Sequence, residues 1–93
     1  MGVSSYVEHG DEIVFHPGYY ILEACEGQDR YRELIDTLGI SEVDFLFILY
    51  GDRDIDEDIA EGLSKVFGTS KEYWMNIQKT FTEKVKEWEN EVV

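Results

Sequence analysis

The residues able to do chemistry in this 93-residue chain are above all carboxylates: 21 Asp and Glu stand against 8 Lys and Arg, a formal net charge of −13. Beside them are two histidines, His9 and His16, and one cysteine, Cys25. Nucleophilic catalysis needs a nucleophile, a base and a group that orients the base. Nothing in the chain stands at a motif spacing for such a triad, so the carboxylates read as solvated charge and no catalytic residue is expected. A zinc site draws its ligands from several Cys and His, which two histidines and one cysteine without a CxxC partner do not supply. The densest acidic run, GDRDIDEDIAEG from Gly51 to Gly62, looks like a calcium loop until it is counted. An EF-hand needs Gly at loop position six and Glu at position twelve; counted from Asp52, those places hold Glu57 and Leu63. The run is expected to be a solvated loop leading into the acidic first turn of a helix, with no metal and no cofactor.

The distribution of charge bears on partners. Between residues 42 and 61 there are eight acids (Glu42, Asp44, Asp52, Asp54, Asp56, Glu57, Asp58 and Glu61) and one base, Arg53. Nucleic-acid binding draws most of its affinity from phosphate neutralisation, and this stretch repels phosphate. Hydrophobic residues still make up 43% and aromatics 14%, enough apolar surface to fold. One proline and no repeat exclude a solenoid or a collagen-like chain. No apolar run reaches the roughly 18–20 residues of a membrane span. The N-terminus, MGVSSYVEHGDE, lacks the basic-then-apolar order of a secretory signal, and a lone cysteine makes no internal disulfide; a cytoplasmic protein is expected.

The elements that would position these residues are legible from caps and periodicity. Residues 1–15 begin polar and turn apolar at Ile13-Val14-Phe15, which predicts a flexible end and then a short extended segment, a strand or a hydrophobic tether. Pro17 suits the first turn of a helix, expected from about Gly18 to Glu26 and stopped near Gly27. Asp29 is a candidate N-cap for a second helix, 30–38, with Leu34, Ile35 and Leu38 inward and Gly39 past its end. Ser41 caps a third, 42–50, ended by Gly51. Asp56 opens a fourth, whose apolar face is Ile59, Leu63, Val66 and Phe67. Gly68 stops it. Thr69 with Glu72 forms a capping box for a fifth, about 70–91, carrying the stripe Trp74, Ile77, Phe81, Val85 and Trp88. The expected architecture is all-α: an N-terminal extension, 1–15, and one five-helix domain, 16–93.

Several segments of this domain occur in one known order. His16-Pro17-Gly18, Glu33-Leu34, Leu38-Gly39-Ile40-Ser41, then Gly51, Arg53 and Ile55, and finally GTSKEYWMNIQ from Gly68 to Gln78 resemble the HigA-type antitoxins, a branch of the Cro/C1 (XRE-like) helix-turn-helix class. The resemblance spans residues 16–81, with a shortened first helix. It implies a lambda-repressor-like domain whose second and third helices form the helix-turn-helix, a toxin partner that is usually an mRNA-cleaving enzyme, and in many members dimeric repression of their own promoter through the third helix. The departures fall on that helix. Family members place polar or basic residues at its outward positions and a basic residue after the glycine that ends it. This chain has Glu42, Asp44, Leu46, Phe47 and Tyr50 there, and Asp52 after Gly51, while the inward Phe45, Ile48 and Leu49 keep their apolar character. Base edges are read by Arg, Lys, Asn and Gln and phosphates by Lys and Arg, so the scaffold reads as kept and the DNA-reading surface as replaced.

Leu46, Phe47 and Tyr50 cannot all share a core with Phe45, Ile48 and Leu49. Either they form an exposed apolar patch that meets a partner or a second copy, or residues 1–15 cover them. Val85 and Trp88, with Val92 and Val93, lie beyond the expected domain and would be exposed in a monomer; a partner protein, a second copy or the N-terminal segment would meet them at helical spacing. The candidate partner-binding residues are therefore Glu42, Asp44, Leu46, Phe47, Tyr50, Asp52, Val85 and Trp88. The leading expectation is a non-catalytic, HigA-like protein acting by protein–protein contact, an antitoxin or antitoxin-derived partner of a basic toxin, with weak or lost DNA binding. The alternatives are a conventional regulator repressing its own operon and an acidic DNA mimic.

Overall fold

A computed structural model describes residues 5–25 and 30–91 of the chain. Among them the order is β1 (Tyr6–His9), β2 (Glu12–Phe15), α1 (Pro17–Ala24), α2 (Arg30–Leu38), α3 (Glu42–Leu49), α4 (Glu57–Phe67) and α5 (Lys71–Glu91). The architecture is mainly helical, as expected, with one addition. The extended segment ending at Phe15 is half of a hairpin: Tyr6 pairs with Phe15, Val7 with Val14, Glu8 with Ile13 and His9 with Glu12. Its loop is Gly10-Asp11, with Gly10 at φ 62. Glycine at the first loop position supplies the positive φ that a tight hairpin turn asks for. Isolated two-stranded hairpins are marginal in water, and this one is held by packing on α5 and α1.

The helix ends follow local chemistry. Pro17 opens α1 behind His16, whose Nδ1 accepts from the Gly18 N–H at 2.9 Å. Ser41 Oγ accepts from the Asp44 N–H at the start of α3, and Asp56 Oδ1 from the Ile59 N–H at the start of α4. Gly68, at φ 73, closes α4 with a left-handed cap. Two expectations are corrected. α3 ends at Leu49, with Tyr50 as its cap. The hydroxyl that caps α5 belongs to Ser70, which accepts from the Tyr73 N–H at 3.0 Å; Thr69 Oγ1 instead accepts from the Trp74 indole at 2.6 Å. A buried indole N–H needs a partner, and Thr69 is the hydroxyl within its reach. The expected cap Asp29, the stop at Gly27 and the end of the first helix at Glu26 lie outside the described residues, as do Val92 and Val93.

The core gathers Ile21 and Cys25 of the α1 end, Leu34 of α2, Phe45, Ile48 and Leu49 of α3, Ile55, the α4 face Ile59, Ala60 and Leu63, and Trp74 of α5. α4 packs on α2 and α5, and α1 packs on α3. The α1–α3 contact is close because Gly18 carries no side chain: it lies against the backbone of Ile48 and Leu49. Among the described residues no helix is long and apolar enough to cross a membrane.

Candidate protein-binding face

α3 is built from EVDFLFIL, apolar on nearly every side after its first turn. A helix of that kind belongs in the middle of a core, yet only half of this one is there. Phe45, Ile48 and Leu49 are buried, whereas Val43 is 59% exposed, Leu46 44%, Phe47 46% and its cap Tyr50 42%. The inward set is fixed by α1 through the bare Gly18, so α3 cannot roll to bury the other side without breaking that contact. Beyond Tyr50 the chain folds back over the helix end: the Phe47 carbonyl accepts from the N–H groups of Asp52 and Arg53 at 2.8 and 3.1 Å.

Beside this face lies a groove of about 420 Å³. Tyr31 and Ile35 of α2 form one wall and Leu46 and Tyr50 the other; Leu22 of α1, Leu49 and Glu42 complete the lining. Both walls are pairs four residues apart, one helical turn each. Sequence reasoning placed Ile35 and Leu49 inward and gave no role to Leu22, Tyr31 or Val43. The matched i, i+4 pairs on successive helices were the available signal for the walls.

The electrostatics around the face are acidic. Glu42 and Asp44 sit in the first turn of α3, where the helix dipole favours them, and Asp52 is exposed just past the helix end. Arg53, the base of this stretch, is engaged by Asp44, Nη1 to Oδ2 at 3.4 Å. Both side chains are well exposed, so the pair adds little stability.

Val85 and Trp88 are placed elsewhere. The expectation that both would be exposed in a monomer is corrected for Trp88, which is 6% exposed. The hairpin covers it: His9 stacks on its ring at 5.0 Å, Lys84 Nζ lies 5.9 Å from its centroid, and His9 Nε2 meets Glu91 Oε1 at 2.7 Å. Lys84 also reaches Glu12 at 3.3 Å. Val85 is half-buried and lines a cleft of about 360 Å³ with Asp54, Phe81, Thr82, Lys86 and Glu89. Residues 5–15 are thus spent on α5 and α1, and among the described residues none closes over the outward face of α3. The structure brings Glu42, Asp44, Leu46, Phe47, Tyr50 and Asp52 together and sets Trp88 apart.

The remaining reactive groups, His16 and Cys25, lie in the interior. His16 is fully buried, edge-on to Phe81 at 5.1 Å. Because Nδ1 accepts from Gly18, the neutral ring carries its proton on Nε2, which lies 3.4 Å from Asp54 Oδ1 without forming a hydrogen bond. Burial holds its pKa below the ordinary value, against an opposing pull from Asp54. Burial pushes the Cys25 thiol up, away from the thiolate form that reacts. No group of three or more His, Cys, Asp or Glu is arranged to hold a metal among the described residues. Compared with known proteins, the chain matches no family model, no curated protein and no solved structure.

Proposed function

We propose that the chain is a HigA-like helix-turn-helix scaffold turned to protein binding, with α2 and α3 as the helix pair and the outward face of α3 as the surface that meets a partner. The partner is a basic toxin, and the chain is its antitoxin or derives from one; promoter binding is weak or lost. The observation that carries this reading is the open α3 face, in which Val43, Leu46, Phe47 and Tyr50 remain in solvent although residues 5–15 were available to cover them. Contiguous exposed apolar surface of this kind marks interaction sites, and an acidic rim steers a basic protein toward it. The same rim opposes a DNA backbone.

The test is co-expression with the product of the adjacent gene, which this reading expects to be a small basic protein. The parent chain is expected to bind that protein and relieve its toxicity, and a Leu46→Asp, Phe47→Asp double variant, folded by circular dichroism, is expected to lose both. Equal protection by the variant would overturn the assignment of the face. Specific, salt-sensitive retention of the DNA upstream of its own gene by the parent chain would restore the regulator reading.

A further inference from the structure

We propose that the groove between α1, α2 and α3 is the anchor site of this face, and that its occupant is a basic amphipathic helix. The inference rests on the protein-binding reading but not on the identity of the partner as a toxin. Its first support is shape. The walls Tyr31–Ile35 and Leu46–Tyr50 are each one helical turn long and stand on neighbouring helices, with Leu22 and Leu49 between them. Ridges of i, i+4 side chains on a third helix interdigitate with such rows, and helix-in-groove contacts use anchors at this spacing. A volume of about 420 Å³ lies within the range of natural binding pockets.

The second support is charge. Glu42 is the charged residue of the lining, and it makes no ion pair with any described residue. An occupant that is wholly apolar would strip water from this carboxylate and give nothing back, an unfavourable exchange. A Lys or Arg at the edge of an apolar helix face repairs it: the cation pairs with Glu42 and its methylene stem lies along the wall. A second copy of this chain fits poorly. In an isologous contact the same patch meets itself, so Glu42, Asp44 and Asp52 of each copy would face like charge, on molecules of net charge −13.

The experiment presents amphipathic helices and leaves their charge to selection. A display library of 16-residue helical peptides, with apolar residues fixed at i, i+4 and i+7 and all other positions random, is panned against the full-length chain. Selected peptides are expected to be strongly basic, to be displaced by salt, and to shift the backbone NMR signals of Leu22, Tyr31, Ile35, Glu42, Leu46 and Tyr50. Glu42→Gln is expected to weaken the best peptide by about two- to five-fold, the size of an exposed ion pair, while Glu83→Gln, which removes the same charge from α5, leaves it unchanged. Equal losses from the two variants would show general charge attraction and overturn the anchor role of Glu42. Neutral or acidic peptides seated in the groove would overturn the basic class while leaving the protein-binding face intact. Groove signals that shift on concentration of the chain alone would make a second copy the occupant. Peptides that bind only outside the α3 face, or none at all, would overturn the groove as a helix site, while loss of protection in the Leu46→Asp, Phe47→Asp variant would still uphold the face itself.

Discussion

Gly18→Ala tests how the α3 face is held in place. A Cβ at Gly18 would fall inside the carbonyl oxygen of Ile48, and would stand 2.8 Å from the Leu49 carbonyl oxygen and 2.9 Å from the Leu49 Cα. Ordinary C···O approaches begin near ~3.3 Å, and all three neighbours are backbone, which cannot rotate away as a side chain does. α1 and α3 would have to part, loosening Ile21 and Cys25 from Ile48 and Leu49. Overpacking of a core costs about 1–3 kcal/mol when side chains give way. Against rigid backbone the upper end applies, about 3 kcal/mol. The helix-propensity gain of alanine, up to about 1 kcal/mol, offsets part of it, so the net loss is about 2 kcal/mol. For a domain of this size that lowers Tm by about 8–16 °C. Gly62→Ala is the matched control. Its Cβ meets the end of the Leu38 side chain, Cδ2 at 2.5 Å, and otherwise ordinary contacts. Leu38 is half-buried and free to turn, so the change should stay within about 1 kcal/mol of the parent. Thermal unfolding followed by circular dichroism reads both. A Gly18→Ala protein melting at or above the parent, or a Gly62→Ala protein losing as much, would refute the close-approach argument.

Three further outcomes follow from named contacts. Stability should fall as the pH drops from about 6.5, the unfolded value for histidine, because His16 is held below it in the fold. Between the two values the unfolded chain binds more protons, so stability rises with pH across that window and is lost on acidification until the folded value is passed; an NMR titration placing the His16 ring above ~6.5 would contradict this. Gln78→Leu should cost about 1–3 kcal/mol in urea unfolding, since Gln78 Oε1 accepts from the buried Ile55 N–H at 2.9 Å and leucine leaves that donor unpaired; unchanged stability would count against it. Trp88→Ala should free the hairpin, seen as faster hydrogen exchange at Val7, Val14 and His16 with the α3 amides unaffected; hairpin protection equal to the parent's would show that Trp88 does not hold it.

What was legible in the sequence was what local chemistry decides. Ser41 and Asp56 cap their helices through their own side-chain oxygens, and Gly39 and Gly68 adopt the positive φ that ends a helix. The inward and outward residues of α3 were also separable, because Phe45, Ile48 and Leu49 share one helical side. Misreadings arose where a distant group decides. Thr69 and Ser70 are adjacent hydroxyls, and only the position of the Trp74 indole determines which of them caps. The strand Tyr-Val-Glu-His is too polar to announce itself, and its one signal was the Gly10-Asp11 turn. Trp88 looked exposed because its cover lies 79 residues earlier in the chain, at His9. The groove needs three helices placed in space, and no spacing within the sequence joins Leu22 to Tyr31 and Tyr50.

The contact of His9 with Glu91 has a consequence for the order in which the molecule assembles. The two residues are 82 positions apart, so bringing them together in an unfolded chain means closing a loop of nearly its whole length, about 4 kcal/mol of closure entropy before any contact rewards it. Once the helices between them have docked, the gap is already bridged and that cost has vanished. The attachment of the hairpin to the far end of α5 is therefore favoured only after the helical body has formed, whereas the β1–β2 pairing and the contact of Phe15 with Tyr19 are local. A transiently opened chain would carry its α3 face already formed before the hairpin had been fastened to α5.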